Sequence, residues 1–327
     1  RTTPPSRLRH DHFTINEDTE EFICNQGRFG SDYGFSDARM DEHQITVAGR
    51  LTPTSFGSAS QKSAKALQSI IEEHGPDSVA VTISPRATNE EALAVRNFAY
   101  DVLKTKNLDW RFGFKSNEAA EAVTTAFQNA TGSFEKDPDV IVVVNGQLEQ
   151  QVPVTAMMIQ EYARRFDKKI IMLGHLHNDY IGKHAAKRYH NQPGRTSAVL
   201  EALQGALSEG GNTSELESIL NQNSDELNEL VSILKEARQG LVVHGLMDFD
   251  GLYAPAEVPS ALNFIKSLGD GWEYMPAVSH RNAVGLTHIL GEPKEGAVAP
   301  NDLLSEINSG KIKALVSFGG ETLADMA

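Results

Sequence analysis

The chain has 327 residues, 40% of them apolar, with one cysteine and a formal charge of −14 from 30 basic and 44 acidic side chains. That length and apolar content suffice for one large core or two ordinary ones, while the acidity repels phosphate backbones and anionic lipid surfaces. A lone cysteine excludes a disulfide framework, and the longest apolar run, Val140 to Val144, is too short to span a bilayer, so a soluble protein of a reducing compartment is expected. The sequence opens on Arg1 without an apolar h-region behind the early arginines. No secretory signal is expected there, and the chain reads as a processed or partial one.

Residues 1–57 are rich in Arg, His, Asp and Gly, with apolar alternation at Phe13/Ile15 and Phe22/Ile23 that suits a few short strands and loops. From Ser58 the rhythm changes to helix and strand. Ala64, Leu67, Ile70 and Ile71 keep helical spacing until Gly75-Pro76 stops them. Residues 78–83 form a short β-rich run, and Asn89 is expected to cap the helix that follows. Residues 137–145, "DPDVIVVVN", read as a strand buried on both faces of a parallel sheet. Residues 153–166 are helical and 168–173 form the next strand, which completes a βαβ unit. After the polar stretch 209–226, a helix over 227–238 leads to a strand over 240–245, a helix over 260–268 and a last strand within 311–320. The seven residues after that strand are too few for a covering helix, so the sequence is expected to be cut inside a βα unit.

No GxGxxG or GxxxxGK[ST] follows any of these strands, so no nucleotide fingerprint is present. An α/β layout would place a ligand at strand carboxyl ends, here "ISPRATN", "VNGQLEQ", "LGHLHND" and "HGLMDFDG". His175 and His177, with Asp179, His184 and His190 nearby, tempt a metal assignment. Their spacing is loose for zinc and Lys183 and Lys187 flank His184, so a solvated loop is favoured. Ser84, Ser116 and Ser279 lie outside any G-x-S-x-G elbow, and Glu90/Glu91 suit a helix N-terminus without catalysis. Cys24 alone would be a buried inert thiol, but its neighbours are three glycines and an arginine.

"ICNQGRFGSDYG" resembles the cysteine–glycine signature that closes the iron–sulfur segment of large molybdopterin oxidoreductases, and especially the large G subunit of bacterial NADH-quinone oxidoreductase. The likeness continues in order through residues 49–57, 72–91, 137–154, 191–203 and 309–325. It implies an α/β fold of two interleaved lobes with mostly parallel sheets, behind a short β-rich N-terminal segment. Residues 1–57 would be the remnant of a 4Fe–4S segment, and 58–327 the molybdopterin-oxidoreductase-like region, incomplete at its end. Strands 79–83 and 241–244 are expected in one sheet, and 140–144 with 169–173 in another. Cys24 would be the last ligand of a 4Fe–4S cluster whose other three cysteines lie upstream; without them Cys24 is expected to be free, and His10, His12 and His43 are the fallback ligands.

Three departures from the family pattern imply that no molybdopterin is bound. The metal-ligand region reads "RFGFKSNEAA", with only Ser116 as a candidate; the relay lysine corresponds to Gln26; and "GHLHND" replaces the acidic and basic nucleotide contact. A patch of Lys183, Lys187 and Arg188 is the one local offset to the acidity. The resemblance thus implies a catalytically inert scaffold and electron-transfer subunit. Its partners would be other subunits of the complex I peripheral arm, on the cytoplasmic side of the bacterial inner membrane, without nucleic acid or membrane insertion. A fragment of a formate-dehydrogenase-like molybdenum or tungsten enzyme, with Ser116 on the metal, is the alternative. A free-standing α/β small-molecule binder is a third.

Overall fold

The computed structural model describes Met40 and residues 42–175, 179–246, 251–279 and 282–319. Among these, two compact units are drawn from interleaved stretches: 42–112 with 285–319, and 113–284.

The first unit opens on a hairpin of β1 (Gln44–Val47) and β2 (Arg50–Pro53), joined by Ala48 and Gly49 at φ 49° and 79°. Two consecutive left-handed residues are what a two-residue hairpin turn with the natural strand twist demands. Helix α1 (Phe56–His74) starts two residues before Ser58, because the Ser55 hydroxyl accepts the Ser58 N–H; it stops at Gly75-Pro76 as its sequence predicts. Strand β3 (Val79–Ile83) is buried throughout. Helix α2 (Asn89–Asn97) runs on into a π-helical segment, Phe98–Leu103. Its cap is Thr88 and not Asn89: only Thr88 has a glutamate three residues on, and the two close a capping box, Glu91 N–H to Thr88 Oγ1 and Thr88 N–H to Glu91 Oε2. The short β4 (Asn107–Asp109) ends this stretch.

The second unit carries α3 (Asn117–Gln128), β5 (Val140–Val144), α4 (Pro153–Arg165), β6 (Lys169–Gly174), β7 (Lys187–His190), α5 (Thr196–Leu207), α6 (Ser224–Glu236), β8 (Gly240–Gly245), α7 (Ala254–Leu268) and β9 (Trp272–Ala277). The polar stretch 209–226 holds a helix of its own, Ser214–Leu220. The five strands are parallel in the order β7-β6-β5-β8-β9. Ile141, Val143, Ile159, Tyr162, Ile170, Leu241 and Val243 build the core under them. Because β5 is covered on both faces, every one of its residues is buried, which accounts for its unbroken β-branched sequence.

The chain returns to the first unit through α8 (Ala283–Leu290), and α9 (Leu303–Asn308) leads to β10 (Ala314–Phe318). There β10 pairs parallel with β3 from Val79↔Ala314 to Ile83↔Phe318, which gives a three-stranded sheet β10-β3-β4. Phe112, Leu303 and Ile312 pack with Ala80 beneath it.

The α/β class and the parallel sheets are those expected, and 140–144 does share a sheet with 169–173. The placement of 241–244 beside 79–83 is corrected. Strand β8 lies against β5, with Val140 opposite Gly240, and β3 takes β10 and β4 as neighbours. Residues 113–284 are an unbroken α/β run, so each strand inside it finds its partner within the run. No described helix is long and apolar enough to cross a membrane.

Candidate functional site

In the five-stranded sheet, β5, β6 and β7 build in one direction and β8 and β9 in the other, so the order reverses between β5 and β8. In doubly wound sheets ligands bind outside the carboxyl ends of the strands at such a reversal. The edge here is formed by Asn145-Gly146 after β5, His175 after β6 and Gly245 at the end of β8. Asn145 and Gly146 are both left-handed, at φ 51° and 87°. A Cβ on Gly245 would come within 2.4 Å of the Gly146 Cα, so the β5 and β8 turns meet backbone to backbone.

Asn145, 2% exposed, turns its amide inward. Its Nδ2 donates to Glu257 Oε2 at 2.9 Å and lies 3.1 Å from Thr196 Oγ1, and its Oδ1 accepts the His175 N–H at 3.2 Å and faces the Thr196 hydroxyl at 3.2 Å. Asn191 Nδ2 donates to the same Thr196 oxygen at 3.2 Å. Elements from four parts of the sequence are thereby tied to one side chain: the β5 turn, the β6 turn, the first residue of α5 and the first turn of α7.

Behind this cluster the fully buried His244 on β8 places Nδ1 3.0 Å from the Tyr274 hydroxyl on β9 and Nε2 3.6 Å from Glu257 Oε2. Burial holds the Tyr274 phenol well above its ordinary pKa of 10, and the Glu257 charge adds to the effect, so the phenol keeps its proton. Glu257 Oε1, His244 Nε2 and Asn191 Oδ1 are buried without a hydrogen-bond partner among the described residues. The edge therefore holds buried polar atoms left unpaired among the described residues, and the buried Glu257 carboxyl group is hydrogen-bonded to the residue that forms its main turn.

The residues singled out from sequence fall in several places. Cys24, Gln26, His10, His12 and His177 lie outside the described residues. Ser116 is the N-cap of α3: its oxygen accepts the Ala119 N–H at 3.2 Å, and its hydroxyl lowers the pKa of Glu118 by hydrogen bonding. The Ser84 hydroxyl accepts the Arg86 N–H at 3.3 Å, and Ser279 is exposed. His184 and His190 are exposed, but His175 is 5% exposed and edge-on to Tyr253, which corrects the solvated-loop reading at that position. Among the described residues no group of three or more His, Cys, Asp or Glu side chains could hold a metal ion. Lys187 is paired with Glu229 at 2.6 Å.

Asn145, Asn191, Thr196 and His244 sit in stretches the sequence flags, whereas Glu257 and Tyr274 do not stand out there. Glu257 lies three residues before the expected helix start at 260, and only the structure places it in a first helical turn. Its role as an acceptor for Asn145, 112 residues away, emerges only in three dimensions.

Comparison with known proteins bears on what this edge belongs to. The chain is 26% identical over 249 residues to the G 2 subunit of the NADH-quinone oxidoreductase of Rhizobium meliloti (strain 1021), covering 71% of this chain and 28% of that protein. It is 26% identical over 232 residues to the alpha subunit of the NADPH-Fe(3+) oxidoreductase of Geobacter sulfurreducens, covering 70% of this chain and 26% of that one. It thus spans about a quarter of the length of these relatives. Among solved structures, acetylene hydratase from Pelobacter acetylenicus superposes with a TM-score of 0.60 over 84% of this chain and 42% of that one, at 13% identity, a likeness of fold. The family model for molybdopterin oxidoreductases matches residues 41–323, which takes in both units, and the chain belongs to that family.

Proposed function

We propose that this chain is the α/β body of a large component of a multi-subunit NADH-quinone oxidoreductase, where it serves as scaffold and docking surface and works without molybdopterin. In the intact protein Cys24 supplies one thiolate to a 4Fe–4S cluster whose other ligands come from outside these 327 residues, since the sequence holds one cysteine. Its partners are the other subunits of the peripheral arm, on the cytoplasmic side of the inner membrane.

The observation that carries this reading is the use made of the β5–β8 edge. A pterin dinucleotide is a polyanion and needs donors and cations where its phosphates lie. Here the Asn145 amide is spent on Glu257, Thr196 and His175, and the carboxyl group bonded to it is itself buried. Ser116, the one residue in the metal-ligand region suited to molybdenum, accepts a helix-capping hydrogen bond. These residues do not suit the cofactor. The two relatives named as oxidoreductase subunits support a place in a larger assembly.

Metal analysis of the intact protein tests the reading. Iron at about four per cluster with no molybdenum or tungsten is the expected result. Molybdenum or tungsten near one per chain overturns it in favour of a formate-dehydrogenase-like enzyme.

A further inference from the structure

We propose that the first unit binds a small phosphate monoester in a pocket between the end of α2 and the segment that follows α8. The pocket measures about 360 Å³, within the range of small-ligand sites, and Arg96, Tyr100, Asp101, Leu290, Glu292 and Lys294 line it. Helix α2 returns from the carboxyl end of β3 toward the start of the parallel β4. Its last turn, which carries Arg96, therefore stands away from the strand carboxyl ends. Tyr100 belongs to the π-helical segment that continues α2. Such segments are rare and occur frequently at functional sites.

Two cations meet on one ring there. The Arg96 guanidinium carbon lies 5.9 Å, and Lys294 Nζ 3.8 Å, from the centre of the Tyr100 ring. Among the described residues neither is ion-paired with a carboxylate, although acidic side chains outnumber basic ones by 44 to 30. Arg96 Nε is also buried without a hydrogen-bond partner among them, so the guanidinium keeps donor capacity that the protein does not use. Lys294 is held in place by its own loop. Gly291, at φ 70°, ends α8, Pro293 fixes the backbone before the lysine, and the Ala297 N–H donates to Lys294 O at 2.9 Å.

The lining selects the ligand. A guanidinium fork beside an ammonium is a donor set for phosphate oxygens. Their two charges match the charge of about −1.5 to −2 on a phosphate monoester better than the single charge of a carboxylate. Burial raises the Tyr100 pKa above its ordinary 10, against the lowering effect of the Arg96 charge, so the phenol is a third donor at neutral pH. Asp101 and Glu292 repel the phosphate but accept hydrogen bonds from hydroxyl groups, and the buried Leu290 supplies an apolar wall. The organic part of the ligand is therefore a short carbon skeleton that carries hydroxyls.

Isothermal titration calorimetry of the full 327-residue chain tests this, with glycerol 3-phosphate as the probe and sodium chloride at matched ionic strength as the control. Saturable binding at one site per chain is expected, with Kd raised about tenfold in Arg96→Gln and in Lys294→Gln. Lys294 is exposed, so its variant keeps the fold. Inorganic phosphate should bind more weakly than the ester, because it brings no carbon-borne hydroxyls to Asp101 and Glu292. No binding beyond the chloride control, a Kd unchanged in both variants, or equal affinity for inorganic phosphate overturns the proposal. So does co-sedimentation with phosphatidylglycerol vesicles that Lys294→Gln abolishes, which would assign the pocket to a lipid headgroup. None of these outcomes depends on the scaffold reading, which metal analysis decides.

Discussion

Gly245 and Gly146 show how narrowly single positions are set at the carboxyl edge of the five-stranded sheet. An added Cβ at Gly245 meets backbone at 2.4 Å, where no side chain can swing aside. Gly245→Ala is expected to cost about 1–3 kcal/mol by overpacking, read as a lower denaturation midpoint with an unchanged slope. The buried tyrosines make a different prediction. Burial is the main cause raising the pKa of Tyr162, Tyr189 and Tyr274 above the ordinary 10. Unfolded tyrosines lose their protons near pH 10 while the folded ones keep theirs, so above that pH the unfolded state binds fewer protons and stability falls. Thermal melts from pH 8 to 11 should show the decline beginning near pH 10, and Tyr274→Phe should shallow it. A melting temperature flat across that range would contradict the burial of all three. Glu257, at the centre of the same site, illustrates why the cluster is hard to read from sequence: its acceptor role depends on Asn145, which the chain brings to it from the turn after β5.

At the level of elements, legibility followed burial. β3, β5, β6 and β8 read clearly because both faces are covered and the residues are almost all apolar. β4 ("NLD"), β7 ("KRYH") and β9 ("WEYMPA") carry polar residues or proline and do not announce themselves. All three are edge strands among the described residues, and Pro276 is tolerated in β9 because no described strand pairs beyond it. Helix α7 begins at Ala254, six residues before the expected start. Pro255 sits in its first turn, where the N–H has no intrahelical partner, whereas Pro259 stands inside the helix and removes one i→i−4 hydrogen bond, so neither proline ends it. The capping box at α2 supplies a direct test: Thr88→Ala should destabilise the first unit by about 1 kcal/mol, whereas Asn89→Ala should cost far less. Equal losses in urea titrations would return the cap to Asn89.

For the whole molecule, the interleaving of the two units implies unequal independence. Residues 113–284 form a continuous stretch with its own sheet and core. Expressed alone, that stretch should unfold in a single cooperative transition, with circular dichroism and fluorescence giving coincident curves. Residues 42–112 should not, because β3 loses β10, one of its two neighbours. A molten or aggregated 113–284 would show that the unit depends on the first. The class of fold was legible in the apolar strand runs, and the interleaving in what the resemblance of the family-like stretches implies. Which strand sits in which sheet was not, because pairing depends on where the chain departs and returns, and no single segment records that.

The pairing of β3 with β10 also sets a timetable for synthesis. Roughly 230 residues separate Ile83 from Ala314, and at about 5–20 residues per second a ribosome needs on the order of 10–45 s to traverse them. Through that interval the second unit can complete itself on the emerging chain, while β3 waits with its edge open and its apolar faces uncovered. The first unit of the sequence to be made is thus the last to be finished, and nascent chains stalled before Ala314 should be those that chaperones hold longest.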